Sequence, residues 1–245
     1  MRIFSVFSFF TKVEKKENNT VREKCPVYVP KDMVKICAQE VIYLARMVQD
    51  NVFIALSLRK NDTTEMQKLL KENQGRILQA QRELENGLMQ TLRMVTSKEE
   101  CRELEWVSQA VFTLEKLSVS VKKLVEAVKV GREQEVLPME NDINGQTLDG
   151  LQKVLQELVG MSMAAFLTKD TELAEEAAPL KNSIIEMGEY LKEQYIGNGG
   201  LWTDEAKERV VYQEIIGCFI EIAGHCGELT ERMGKSYFKT SGTVL

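Results

Sequence analysis

Glu221, His225 and Glu228 have the side-chain types and the spacing of metal ligands. Steps of four and three residues place them on one face of a helix, where two carboxylates and an imidazole can offer oxygen and nitrogen donors to one ion. The same pattern is also typical of a hydrogen-bonded or solvated helix face. Both interpretations stay open here, and a bound metal would be a divalent or iron-type ion.

This chain offers few residues in arrangements that could catalyse a reaction. His225 is the only histidine, so a Ser-His-Asp relay could be built only through it, and no nucleophile motif accompanies it. A ferritin-like di-metal site needs two Glu-x-x-His motifs on different helices. We therefore expect a protein that is not an enzyme.

The run Gly197-Asn198-Gly199-Gly200 precedes a predicted helix start. Backbone amides at a helix N-terminus can hold an anion such as phosphate. The run lacks the Gly-Lys-Ser/Thr ending of a P-loop, and glycine-rich connections between helices are ordinary turn chemistry. We favour the turn and keep anion binding as the alternative.

The candidate ligands lie in the last of six predicted helices. Only 4 Pro and 15 Gly occur in 245 residues, apolar residues recur at helical steps, and no segment alternates as a strand does, so the class is all-α. Helices are predicted over residues 30–59, from Thr63 or Thr64 to 95, from a capping Ser97 to 130, over 147–168 and 170–195, and from 203 onward. In the fifth predicted helix, Pro179 predicts a kink or a late start near Ala178. The apolar stripe of that helix continues through Leu180, Ile184, Met187, Leu191 and Tyr195.

Two segments of the chain match apolar position for apolar position. Ala110 to Leu124 aligns with Ile215 to Leu229 at an offset of 105 residues, and each segment closes a set of three helices. A duplication of that length predicts two tandem three-helix bundles, with six antiparallel helices in all. We divide the chain into an N-terminal segment and linker (1–29), a first bundle (30–130), a linker (131–146), a second bundle (147–235) and a C-terminal tail (236–245).

Composition excludes several classes of function. A net charge of −5 and the lack of a basic stripe argue against nucleic-acid binding. The five cysteines are scattered without a C-x-x-C pair, which argues against a disulfide framework or a zinc site and suits a reducing cytoplasm. No apolar run approaches the roughly 18–20 residues that span a bilayer.

Residues 1–13 carry apolar and aromatic side chains at helical spacing, followed by two lysines. This pattern is compatible with a helix docked on the bundle, a frayed terminus, or an amphipathic segment that contacts a membrane surface. We favour the first two, and a membrane contact through residues 1–13 stays the alternative.

The third helix of each set resembles a known signature. Residues 219–229 read FIEIAGHCGEL and residues 114–124 read LEKLSVSVKKL. Both segments are similar to a pattern near L-E-R-I-G-D-H-A-x-N-I. Residues 219–229 keep its isoleucine, its histidine and its final aliphatic residue. Residues 114–124 keep its opening Leu-Glu and a basic residue. Over residues 30 to about 235 the chain thus resembles the PhoU-like family, which comprises phosphate-responsive regulators and cytosolic tails of bacterial sodium/phosphate cotransporters.

The resemblance also implies a metal cluster that this chain is expected to have lost. In the family, a glutamate or aspartate and an aspartate four residues later supply carboxylates to multinuclear metal clusters on each bundle. Here the corresponding pairs are Glu115 with Val119 and Ile220 with Gly224. One carboxylate cannot hold a cluster of hard metal ions. Glu115 joins Glu221, His225 and Glu228 only as a candidate ligand of a rearranged site.

The function implied by the resemblance is regulation of phosphate transport or phosphate signalling. Such a protein is a non-enzymatic, cytoplasmic accessory that binds a membrane phosphate transporter or its sensor kinase, and it can lie peripheral to the inner face of the membrane. Two alternatives are a metal- or phosphate-binding helical bundle and a helical scaffold or detached cytosolic domain of a cotransporter. A homodimer also stays open.

Overall fold

The computed structural model describes residues 30–137, 143–196 and 204–236, and within these ranges the chain forms six α-helices and no strands. The helices are α1 (Pro30–Ser57), α2 (Thr64–Leu92), α3 (Lys98–Glu133), α4 (Ile143–Thr168), α5 (Thr171–Ile196) and α6 (Asp204–Ser236). The predicted all-α class is therefore confirmed. The predictions for residues 1–13, the turn at 197–200 and the tail beyond 236 fall outside the described residues.

The helices form two tandem three-helix bundles, as the sequence predicts. Helices α1, α2 and α3 pack against one another, and so do α4, α5 and α6. Two contacts join the bundles, because α3 runs along α6 and α1 packs against α4. The buried apolar side chains of both bundles belong to one continuous cluster. The bundles thus share a core, and the division into domains at residues 131–146 stays a prediction.

Side-chain caps begin three of the helices where the sequence places them. The Thr63 hydroxyl accepts a hydrogen bond from the Met66 amide at 3.2 Å, and the Ser97 hydroxyl accepts one from the Glu100 amide at 3.1 Å. Asp170 accepts bonds from the amides of Glu172 and Leu173 at the start of α5. Each cap satisfies amide groups that have no partner inside the helix.

One predicted helix boundary in the second bundle is wrong. Helix α4 begins at Ile143 rather than Thr147, and its first turn is tied to α6 by a hydrogen bond from Asn144 to Glu208 at 3.2 Å. Helix α5 spans Thr171–Ile196, close to the predicted 170–195, and it runs through Pro179 without the late start near Ala178. Because Asp170 caps the helix and Pro179 is exposed, water can satisfy the carbonyl that the proline leaves without an amide donor.

Three cysteines are packing residues of the core. Cys37, Cys218 and Cys226 are buried, whereas Cys101 is exposed, and all four are free thiols. Burial raises the pKa of Cys37 and Cys218 to about 11 and that of Cys226 to about 12, because an apolar environment disfavours the thiolate. In the described part of the chain, no helix is long and apolar enough to cross a membrane.

Candidate functional site

The predicted ligands of α6 lie beside α3, at the main contact between the two bundles. Both helices bury an apolar stripe in the shared core: Leu114, Leu117, Val121 and Leu124 from α3, and Ile215, Phe219, Ile222 and Cys226 from α6. This burial positions the polar residues along the edges of the two stripes. We call six of these residues, Lys116, Ser120, Lys123, Glu221, His225 and Glu228, the α3–α6 seam.

Two ion pairs cross the α3–α6 seam. The Lys116 ammonium donates to both carboxylate oxygens of Glu228, at 3.1 and 3.3 Å. The Lys123 ammonium donates to both oxygens of Glu221, at 2.8 and 3.0 Å, and the Ser120 hydroxyl donates to Glu221 at 2.8 Å. Both carboxylates that the sequence offers as metal ligands on α6 are thus engaged by lysines of α3.

The two ion pairs are related by the internal duplication. In the alignment of Ala110 to Leu124 with Ile215 to Leu229, Lys116 corresponds to Glu221 and Lys123 to Glu228. Each lysine binds the counterpart of the other lysine, so the pairs are exchanged by a pseudo-twofold relation between antiparallel helices. The first copy carries a lysine at both positions and the second copy a glutamate at both.

The pKa of Glu221 reflects its contacts with α3. Partial burial raises this pKa, but the hydrogen bonds from Lys123 and Ser120 outweigh burial and the pKa lies below its ordinary value. The pKa of Lys123 is raised in turn, chiefly by its hydrogen bond to Glu221. Each partner favours the charged form of the other, so the pair stays ionised at neutral pH.

His225 lies half-buried between the charged groups of the α3–α6 seam. Its Nδ1 atom is 3.7 Å from Oε1 of Glu228. Burial lowers the pKa of the imidazole, the Lys116 ammonium lowers it further, and the carboxylates of Glu228 and Glu221 oppose both. The net shift is downward, so the ring is neutral at pH 7.

The metal cluster implied by the resemblance does not fit these residues. Among the described side chains, no group of three or more His, Cys, Asp or Glu could hold a metal ion. Glu115 and Val119 are exposed on α3, and Ile220 contacts α5, since a Cβ on Gly188 would lie 2.7 Å from it. The position of Gly224 faces open space. A rearranged site at Glu115, Glu221, His225 and Glu228 stays a prediction for metal analysis.

A cleft of about 200 Å³ opens between α4, α5 and α6, away from the α3–α6 seam. Its walls include Leu158, Ala177, Gly227 and the ion pair of Lys181 with Glu231, in which the ammonium lies 2.8 Å from the carboxylate. The lysine that could attract phosphate is therefore already engaged by a carboxylate. The cleft adds no support to the phosphate-binding alternative.

The outer face of α5 is a surface that sequence reasoning missed. Met187 was assigned by spacing to the buried stripe, but its side chain is 52% exposed, beside Tyr190 at 59%. Its neighbour Gly188 takes the place against α6. Helix α5 packs only on α4 and α6 among the described helices, and it carries six glutamates and two lysines. The two exposed apolar side chains therefore lie on an acidic face.

The fold is similar to that of two solved PhoU proteins. The crystal structure of PhoU from Pseudomonas aeruginosa has a TM-score of 0.72 at 14% identity, over 83% of this chain and 96% of that chain. The phosphate transport system regulatory protein PhoU from Streptococcus pneumoniae has a TM-score of 0.62 at 18% identity, over 84% and 95%. The chain therefore has a PhoU-like fold. No family model matches the sequence, and no curated protein matches it.

Proposed function

We propose that this chain is a non-enzymatic regulator or accessory of phosphate transport or phosphate signalling and that it acts by binding another protein. The observation that carries the proposal is the PhoU-like fold over nearly the whole length of both solved structures. The partial signature in α3 and α6 supports it independently of the fold. Its partner would be a membrane phosphate transporter or the sensor kinase associated with it, reached from the cytoplasm.

The outer face of α5 is the surface we propose for the partner. Exposed aromatic and methionine side chains are the types that anchor protein interfaces, and complementary charge speeds and orients the encounter. Cytoplasmic loops of membrane proteins carry an excess of Lys and Arg. Glu186, Glu189 and Glu193 are exposed on the same part of α5 as Met187 and Tyr190, so this face is complementary to such a loop. Helix α2 also exposes apolar residues, but it carries four acidic and four basic side chains.

The first test is phosphate uptake in the native host. Deletion of the gene is expected to change the rate of labelled phosphate uptake in phosphate-rich medium, and the gene on a plasmid is expected to restore it. An unchanged rate would contradict a role in phosphate control. That result would favour the alternative of a helical scaffold.

A pair of matched variants tests the surface. M187S/Y190A removes the two apolar side chains of the α5 face, and M89S/L92A removes two similarly exposed side chains of α2. Both variants should fold, because exposed substitutions change stability by roughly 0.5 kcal/mol or less. We expect only M187S/Y190A to lose complementation and to lose co-purification with the transporter subunits. If the two variants behave alike, the partner does not bind the outer face of α5.

No observation favours the metal- or phosphate-binding alternative over protein binding. The metal-binding alternative is tested by elemental analysis of protein purified without chelators, and about one metal ion per chain would support it. A detached cytosolic domain of a cotransporter is tested by the genomic neighbourhood, where a membrane-spanning segment encoded next to this chain would support it.

A further inference from the structure

The α3–α6 seam brings together positions that a duplication makes equivalent. When two equivalent helix faces meet around a pseudo-twofold relation, a position of one copy faces the counterpart of another position in the other copy. Undiverged copies with the same charge at both positions would therefore place like charges together. Glutamates at all four positions would repel and would need a bound cation between them. Lysines at all four positions would repel in the same way.

We propose that Lys116 and Lys123 are built-in counter-cations of the α3–α6 seam, which neutralise the carboxylates of α6 where the two bundles pack, so that the seam needs no metal ion. Each ammonium lies 2.8 to 3.3 Å from carboxylate oxygens of the opposite helix, where a bridging cation would otherwise be required. This inference goes beyond the proposed function and does not rest on it. It concerns how the duplicated halves are joined, whatever partner they bind.

The chemistry of the surrounding residues supports this role. The Ser120 hydroxyl gives Glu221 a further donor, so the carboxylate is satisfied by α3 alone. Lys116 also lies over the ring of Phe112, 4.7 Å from its centroid, which restricts the ammonium to the seam. At the positions where the family carries further carboxylates, Val119, Ile220 and Gly224 offer no oxygen ligand. The donor set therefore suits an ammonium and not a multinuclear metal cluster.

Charge reversal tests the proposal. K116E/K123E places four carboxylates across the seam, E221K/E228K places four ammonium groups there, and the quadruple variant restores both pairs with exchanged sides. K122E/K129E is the matched control, because it makes the same change of charge on exposed positions of α3 outside the seam. Thermal unfolding is followed by circular dichroism at low ionic strength with a chelator.

We expect each seam double variant to unfold roughly 5–10 °C below the wild type, since two ion pairs are lost and like charges meet. The quadruple variant should return to within about 2 °C of the wild type, and the control should stay near it. A quadruple variant no more stable than the double variants would overturn the proposal. So would a control that is as unstable as the seam variants.

Added cations give a second readout that a purely structural effect of mutation would not produce. Millimolar Mg²⁺ or Ca²⁺ should raise the unfolding temperature of K116E/K123E, because the cation replaces the missing ammonium groups. The same ions should leave the wild type within about 1 °C. Stabilisation of the wild type by several degrees, or no response of K116E/K123E, would overturn the idea that the lysines take the place of a cation.

Discussion

Trp106 of α3 stacks on Phe166 of α4, with ring centroids 5.2 Å apart and ring planes 18° apart. Both side chains are buried, at 4% and 1% exposure, and they belong to different bundles. Lys169, in the short connection after α4, lies over the same Trp106 ring at 5.0 Å. One aromatic pair therefore ties the end of the fourth helix to the first bundle.

Removal of this aromatic contact should destabilise the whole protein. We expect F166A to lower the free energy of unfolding by about 3–5 kcal/mol, as large-to-small changes of buried aromatic residues do. Chemical denaturation followed by the fluorescence of Trp106, in a W202F background, measures the loss. F112A is the control, because Phe112 is 53% exposed and should cost less than about 1 kcal/mol. Equal losses would mean that the stacked pair has no special role.

A buried ion pair makes a second connection between the bundles. Arg59, after the end of α1, is 4% exposed and pairs with Asp149 of α4, which Lys60 also contacts at 2.7 Å. D149N should lower the free energy of unfolding by about 2–4 kcal/mol, because it removes the negative charge that pairs with the buried Arg59 guanidinium. Urea unfolding measures this. E133Q, which breaks the exposed pair with Lys129, should cost no more than about 0.5 kcal/mol. A comparable loss in both variants would contradict the importance of burial.

Glu40 predicts a pH dependence of stability. Its side chain is buried in α1, and burial, together with the nearby carboxylate of Glu83, raises its pKa above the ordinary value of 4.5. The raised pKa means that the neutral carboxyl is favoured in the folded state. This stabilisation is fully present below about pH 4.5 and is lost as the pH rises through the folded-state pKa.

E40Q keeps this side chain neutral at every pH. We therefore expect E40Q to exceed the wild type in unfolding free energy at pH 8 and to approach it at pH 4. Urea unfolding across this range measures the difference. E85Q changes an exposed glutamate of α2 and should show no such trend. A difference between E40Q and the wild type that does not vary with pH would contradict the assignment.

Two helical glycines should respond to alanine with opposite signs. A Cβ on Gly188 would lie 2.7 Å and 2.8 Å from side-chain carbons of Ile220, whereas a Cβ on Gly160 would meet nothing within 4 Å. G188A should lower the free energy of unfolding by about 1–2 kcal/mol, because the packed side chain must move. G160A should raise it by about 0.5–1 kcal/mol, because alanine favours the helix. Thermal unfolding distinguishes the two variants. Stabilisation by G188A would show that α5 and α6 can move apart at little cost in free energy.

The sequence predicted the features of the fold that depend on neighbours along the chain. The caps at Thr63 and Ser97 and the helical spacing of apolar residues were sufficient for six helices, and the duplication for two bundles. The start of α4 was missed because its first turn is stabilised by α6, far away in sequence. The assignment of Met187 to the core failed because a stripe at steps of three and four does not say which of two adjacent residues meets the next helix.

The partners of the candidate ligands could not be predicted for a similar reason. Glu221 and Glu228 have the spacing of ligands on their own helix, but their lysine partners lie about a hundred residues earlier, on α3. The pattern L-E-K-L-S-V-S-V-K-K-L contained the decisive signal. Its two lysines fall at the positions aligned with the glutamates, and this complementarity has a meaning only when the two third helices are known to pack together.

The distribution of charge across the α3–α6 seam constrains how the sequence can drift. A reversal at any one of the four positions places like charges in contact, and a compensating reversal on the other helix removes that repulsion. Among relatives that keep this seam, lysine and glutamate should therefore exchange sides together. Such covariation would show that the two copies of the duplicated bundle diverged by paired changes of charge at this contact.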